Sequence, residues 1–246
     1  MFNFFITKDK ISSNTAIIDG GDFNHIKNVL RMRVGETLLV SVDGKSHLAE
    51  IKNFNEQSVL INIIEENYND TSLPISMHLF QALPKADKLE LIIQKAVELG
   101  AEQVLPVETE RCVVKIEEKK KQSKCERWNA IAESAAKQCK RAFIPKVSQV
   151  ITFNQMVNMV NDYDLFLVAY EDEKGVLSTK LALDSIKKGD KIAVLIGSEG
   201  GLTQKEIDTL KEKGAKIISL GKRILRAETA SITALSILMM HAEINL

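Results

Sequence analysis

The residues best suited to chemistry in this 246-residue chain fall in two short loops near its carboxy terminus. The first, Gly197-Ser198-Glu199-Gly200-Gly201, follows an apolar run at 191–196. The second is Gly221-Lys222-Arg223-Ile224-Leu225-Arg226-Ala227-Glu228-Thr229. Three glycines let the first backbone approach a ligand closely and take positive φ. It is not a phosphate loop: there is no G-K-[ST], and the spacing is not G-x-G-x-x-G. The Glu199 carboxylate opposes phosphate and suits a cationic or hydroxyl-bearing ligand. In the second loop Ile224 and Leu225 are too apolar for an ordinary exposed turn. They could wall an apolar ring such as adenine while Arg226 meets a polar partner. Plainer readings stand beside these: a tight turn with a solvated Glu199, and an Arg226–Glu228 ion pair with Ile224 and Leu225 in the core.

Each loop leaves an apolar strand and opens a helix, and Thr203 with Glu206 forms a capping box just past the first. That arrangement puts both loops at the carboxyl edge of one sheet, where open α/β sheets bind ligands. Upstream, strand patterns at 76–81, 103–107, 147–151 and 164–170 alternate with helical ones at 86–99, 124–141, 154–160 and 178–186. The alternation predicts an α/β domain with a mainly parallel sheet and helices on both faces. The last helix, apolar nearly all round from Ala230 to Met240, is expected to be buried on every side, partly in a subunit contact. Residues 1–72 read differently. A short helix capped by Asp22 precedes strands at 37–42, 46–51 and 58–64, with Asp43-Gly44 as a two-residue hairpin turn. This predicts a small β-barrel domain at 1–72 and a second domain at 73–246, divided at the polar stretch from Tyr68 to Pro74.

Composition narrows the function classes. No apolar run reaches the ~20 residues of a membrane span, and the amino terminus lacks the basic start of a secretory signal. Cys112, Cys125 and Cys139 form no C-x-x-C pair, which argues against a disulfide scaffold or cysteine zinc site and for a reducing cytoplasm. No metal is expected. Net charge is zero, but residues 111–146 hold 11 Lys and Arg against 4 Asp and Glu, whereas residues 1–72 hold 7 against 10. Such a basic segment on a neutral protein could steer a polyanion to one face; a solvated lysine-rich loop beside an exposed helix face explains it equally well.

The pairing of I-G-S-E-G-G-L-T-x-x-E with L-G-K-R-I-L-R-A-E-T-A resembles the SPOUT class of methyltransferases and, within it, the RsmE family, which methylates N3 of a uridine in small-subunit ribosomal RNA. His25-Ile26-x-x-Val29-Leu30-Arg31-x-x-x-Gly35, Gln81-Ala82-Leu83-Pro84-Lys85 with Lys88, Thr109 to Arg111, and Trp128 to Gln138 are similar to the family's other blocks, so the resemblance covers nearly the whole chain. Ser198 departs from it, standing where the family usually carries proline, which should cost the loop some rigidity.

The resemblance implies a trefoil-knotted α/β domain with a parallel sheet, preceded by a PUA-like β-barrel that binds RNA. It implies S-adenosylmethionine as cofactor, held by residues 168–171 (Ala169, Tyr170), by Leu195, Ile196, Gly197, Glu199, Gly200 and Gly201, and by Ser219, Leu220, Gly221, Ile224, Leu225, Arg226 and Thr229. A homodimer acting on 16S ribosomal RNA, within a small subunit or its precursor, is the implied assembly. Uracil N3 must lose a proton as it is methylated, and charge then develops on N3 and the flanking carbonyl oxygens. Arg226 is the expected stabiliser of that charge, with Glu199 or Glu228 as proton acceptor or cofactor orienter. His25, Arg31 and Arg33 are expected to touch RNA, together with Lys85, Lys88, Arg111, Lys137, Lys140 and Arg141; local helix capping is the alternative for His25. The alternatives for the whole chain are a SPOUT enzyme acting on transfer RNA or another nucleotide, and a non-catalytic RNA-binding module.

Overall fold

A computed structural model describes residues 1–68, 70–171 and 175–246; Asn69, within the predicted domain boundary, lies outside them. The chain forms two compact units, one of Met1–Ser72 with Ala136–Ile144, the other of Leu73–Ala135 with Pro145–Leu246.

The first unit is a curled sheet of β1 (Asn3–Phe5), β2 (Ile11–Ser12), β3 (Thr15–Asp19), β4 (Thr37–Val42), β5 (Lys45–Phe54) and β6 (Ser58–Glu65), in the order β1-β4-β5-β6-β3-β2. The Asp43-Gly44 turn forms as predicted: Val42 pairs with Lys45 across it, and both turn residues have positive φ (48° and 76°), the requirement of a type I′ hairpin. Alternate residues Leu38, Val40, Ala49, Ile51, Val59 and Ile61 point into one core with Ile18 and Ile26. The short helix α1 (Gly20–Asn24) begins three residues earlier than expected, with Asp19 rather than Asp22 at its cap position. It runs into a π-turn at His25–Val29, closed by Leu30 N–H donating to His25 O at 2.9 Å. Arg31, at φ 54°, ends it in the left-handed conformation.

The second unit is a parallel sheet. Its elements are β7 (Ser76–Ala82), α2 (Lys88–Glu98), β8 (Gln103–Glu108), α3 (Glu118–Gln138, whose last residues belong to the first unit), β9 (Lys146–Val147), β10 (Ile151–Thr152), α4 (Phe153–Asn158), β11 (Leu165–Ala169), α5 (Leu177–Leu183), β12 (Lys191–Ile196), α6 (Gln204–Glu212), β13 (Lys216–Ile218) and α7 (Ala227–Asn245). The main order is β10-β8-β7-β12-β11-β13, with β9 also on β8. β12 is central, which explains its unbroken apolar run: Ala193 and Leu195 meet Ile207 and Leu210 of α6 in one core cluster, and all five residues from Ile192 to Ile196 are buried. A strand covered on both faces cannot alternate polar with apolar.

Three expectations need correction. Helix α3 starts at Glu118, not 124, so Lys119, Lys120 and Lys121 lie in its first turns rather than in a loop; Glu117 and Glu118 pair with them. It also stops before Lys140, which takes φ 60°. Helix α7 is not buried all round within the chain, since Met240 and Ile244 stay exposed at 46% and 70%. No described helix is long and apolar enough to cross a membrane.

Candidate functional site

Because the strands are parallel, the chain leaves every one of them at the same edge, and the strand order brings the exits of β11, β12 and β13 together. There they enclose a cavity of about 310 Å³, at the low end of the roughly 300–1,000 Å³ of small-molecule sites. Ala169, Tyr170 and Glu171 line it from β11. Ile196, Gly197, Ser198, Glu199 and Gly201 line it from β12, and Leu220, Gly221, Arg223, Ile224, Leu225 and Arg226 from β13. Ala227 and Ala230 of α7 complete the wall; the sequence reading missed these two, although their i, i+3 spacing on a helix was a legible signal. Leu195 is fully buried and supports the wall from behind. Leu195, Gly200, Ser219 and Thr229 are outside the lining.

The glycine loop is held from several sides. Gly201 N–H donates to Ser198 O at 2.9 Å and the two residues form an isolated bridge, so the turn is closed without a proline. Gly200 packs so close to Arg111 that a Cβ there would sit 3.0 Å from the Arg111 Cβ, and this close approach is its reason for being glycine. The Arg111 guanidinium donates to Gly200 O (3.1 Å) and Leu202 O (3.3 Å). The Thr203–Glu206 capping box forms as predicted, and Glu206 also accepts Glu110 N–H at 2.9 Å. Gln81 bridges the sheet to α7: its Nε2 donates to Ala82 O and Gly197 O, and its Oε1 accepts from the Ser231 hydroxyl. The β13 exit is pinned by Thr179, whose hydroxyl donates to Ser219 O (2.6 Å) and accepts Ser219 N–H (3.0 Å).

The charged groups sort differently from the simple reading of the loops. Glu228 does not pair with Arg226; its Oε2 lies 3.3 Å from Lys88 Nζ. The same ammonium is 2.8 Å from Glu199 Oε1, and both Glu199 oxygens accept Lys85 N–H at 3.2 Å. Burial pushes the Glu199 carboxyl up, but the Lys88 hydrogen bond and the backbone donors outweigh it and leave it below the usual range. Among the described residues no carboxylate or carbonyl holds the Arg226 guanidinium, which stands exposed at the cavity wall on the cap residue of α7. Ile224 is 88% exposed, so it belongs to the cavity rim and not to the core.

The residues expected at RNA divide. His25, Arg31 and Arg33 are exposed together around the π-turn of the first unit, and Lys140 is exposed as well. His25 lies edge-on to Phe4 with centroids 6.2 Å apart, and it is the C-cap residue of α1, its backbone N–H donating to Asp22 O and Gly21 O. Lys137 bonds Asp22 at 2.9 Å. Arg141 is buried, its guanidinium over the Phe143 ring at 4.3 Å, so it is not a surface contact. Lys88 and Arg111 face the glycine loop by the bonds above, and Lys85 offers that loop its backbone.

Residues 71–239 match the RNA methyltransferase domain family and residues 18–64 the RNA methyltransferase PUA domain family. The chain is 39% identical to the ribosomal RNA small subunit methyltransferase E of Bacillus subtilis over 99% of its length and 98% of the relative's. Among solved structures, it is similar to a ribosomal RNA small subunit methyltransferase E from Neisseria gonorrhoeae bound to S-adenosyl methionine, with 28% identity and a TM-score of 0.83 over 98% and 97% of the two chains. A Legionella pneumophila methyltransferase structure in complex with the same cofactor matches at 31% identity and a TM-score of 0.81, over 97% and 96%. The fold, a PUA-like sheet followed in sequence by a parallel α/β domain, is thus similar to that of these relatives, and the chain belongs to the ribosomal RNA small subunit methyltransferase E family of RNA methyltransferases.

Proposed function

We propose that the protein methylates N3 of a uridine in 16S ribosomal RNA, with S-adenosylmethionine as donor. The observation that carries this reading is the cavity at the carboxyl edge, lined by apolar side chains and by the Arg226 guanidinium, which has no partner among the described residues. Ile196, Leu220, Leu225 and Ala230 offer an apolar wall for a purine, and the backbone at 169–171, 197–201 and 220–225 offers donors and acceptors for its polar edges. When bound, the cofactor supplies an electrophilic methyl group on a sulfonium. The N3–methyl bond forms as the sulfur–methyl bond breaks, and the N3 proton leaves to a base or to water.

Arg226 is the group suited to the charge that develops on the uracil ring. A guanidinium stays protonated at any working pH, and one already aimed at the cavity needs no reorganisation as charge appears. Glu228, in the first turn of α7, is bound to Lys88 and stands outside the lining, so its part is that of an orienter. A uridine in folded RNA must be extruded to reach such a cavity. We assign RNA capture to the amino-terminal domain, residues 1–72, through His25, Arg31 and Arg33, with Lys140 as a further phosphate contact. A second copy would cover Met240 and Ile244 of α7, and a homodimer in the cytoplasm is the state proposed. Mapping the modified nucleotides of 16S ribosomal RNA from a strain lacking the protein tests the reading. Loss of one N3-methyluridine, restored by the purified protein with S-adenosylmethionine, is the expected result; a change in transfer RNA or at another base position would overturn it.

A further inference from the structure

We infer that Lys88 is a positioning residue for the cofactor pocket, tying the loop after β12 to the first turn of α7, where the second loop ends, through Glu199 and Glu228, and not a contact for RNA. This rests on the cofactor reading of the cavity.

The placement of Lys88 is unfavourable by local rules. It is the first residue of α2, where the helix dipole favours anions and opposes a cation. The chain reaches it through Ala86 in the left-handed conformation, φ 54°, a backbone that side-chain-bearing residues seldom adopt. What compensates is a pair of carboxylates from two other elements. Glu199 Oε1 is 2.8 Å away and Glu228 Oε2 is 3.3 Å away. The second is fully shielded from solvent and accepts no hydrogen bond from any described group, so the ammonium is the countercharge at hand. Removing that charge would leave a buried carboxylate oxygen uncompensated and two like charges facing each other, and both loops would have to shift. Both carry cavity residues, Gly197, Ser198, Glu199 and Gly201 on one side and Leu225 to Ala227 on the other. One side chain therefore sets the spacing of two walls.

The geometry also bears on Glu199. A carboxylate bound by an ammonium and by the Lys85 N–H through both oxygens is held in its ionised form and is a weak proton acceptor. Its contribution is to shape and charge, which acts on cofactor affinity more than on turnover.

The test measures S-adenosylmethionine binding by calorimetry, without RNA, for the wild type and for Lys88→Met, Lys88→Arg, Glu199→Gln and the Lys88→Met/Glu199→Gln pair. Affinity for a small-subunit ribosomal RNA transcript is measured in parallel. Lys88→Met should weaken cofactor binding about tenfold, the scale on which contacting charged groups couple, and Lys88→Arg should restore most of it. The double variant should be no weaker than the weaker single, RNA affinity should be unchanged by Lys88→Met, and Glu199→Gln should raise the KM for cofactor more than it lowers kcat. Wild-type cofactor affinity in Lys88→Met, additive losses in the double variant, or a loss confined to RNA affinity would each overturn the inference and leave the cofactor reading intact. A wild-type chain that binds no cofactor would overturn both. Should Lys88→Met not fold, Lys88→Gln, Glu199→Gln and their double variant complete the same cycle, with the same outcomes deciding it.

Discussion

The two edges of the parallel sheet treat polar groups in opposite ways. At the amino edge, where β7, β11 and β12 begin, a chain of side chains runs from Glu102 to Lys191. Ser76 donates its hydroxyl to Glu102 Oε2 at 2.6 Å, so toward His78 Nε2, 3.4 Å away, it can only accept. The Nε2 therefore carries the hydrogen, and Nδ1 accepts the Tyr163 hydroxyl at 2.9 Å. Lys191 covers the Tyr163 ring at 4.5 Å. Burial pushes the Tyr163 phenol up to about 12, and burial followed by the Lys191 charge pushes the His78 imidazole down. At the carboxyl edge the cavity is open, Arg226 has no partner among the described residues, and Ile224 is exposed. Perturbed titratable groups are a common guide to active sites. Here shifted groups stand at both edges, Tyr163 and His78 at one and Glu199 and Lys88 at the other, so open volume and a charge with no partner among the described residues mark the site.

Substitutions at the two edges should separate activity from stability. Arg226→Ala should cut turnover by about a hundredfold, the scale of losing one group aimed at developing charge, with cofactor affinity near normal by calorimetry; wild-type turnover would remove Arg226 from catalysis. Gly200→Val forces a Cβ against Arg111 and should cost about 1–3 kcal/mol by overpacking, read in denaturant unfolding, with weaker cofactor binding. Tyr163→Phe leaves His78 Nδ1 buried without its donor. It should cost about 1–2 kcal/mol and leave cofactor affinity unchanged; a loss of cofactor affinity instead would break the division between the edges. The smallest effect is in pH. A histidine whose folded pKa lies below its ordinary 6.5 binds less proton folded than unfolded, so stability rises with pH across that window and falls as the medium is acidified below 6.5. Thermal unfolding of wild type against His78→Gln should show this slope shrinking in the variant.

Much of the fold was legible because its signals are local. The Asp43-Gly44 hairpin, the Thr203–Glu206 box, the Gly100 stop after α2 and the unbroken apolar run of β12 each follow from backbone sterics or burial on both faces. The cavity was legible in outline for the same reason: two loops that leave parallel strands must share an edge. Charge pairing was not. Arg226 and Glu228 are two residues apart in sequence, yet Glu228 pairs with Lys88, the first residue of the helix in another strand–helix unit. The basic residues likewise read as one RNA-facing set, but Arg141 is buried over Phe143 and Arg111 caps the glycine loop. A side chain's type states what it can bond, and its place in sequence does not state which partner the fold delivers.

By itself, then, the sequence determined the strand and helix alternation, the two-loop edge and the resemblance to a family of RNA methyltransferases. The tertiary structure alone decided which cations face the cavity loops and which face solvent, that Glu199 is held ionised by Lys88, and that Ile224 stands at the rim. The physical reason is range. Backbone preferences and hydrophobic periodicity act over a few residues, whereas ion pairs and close packing are set by elements that meet only when the sheet is assembled.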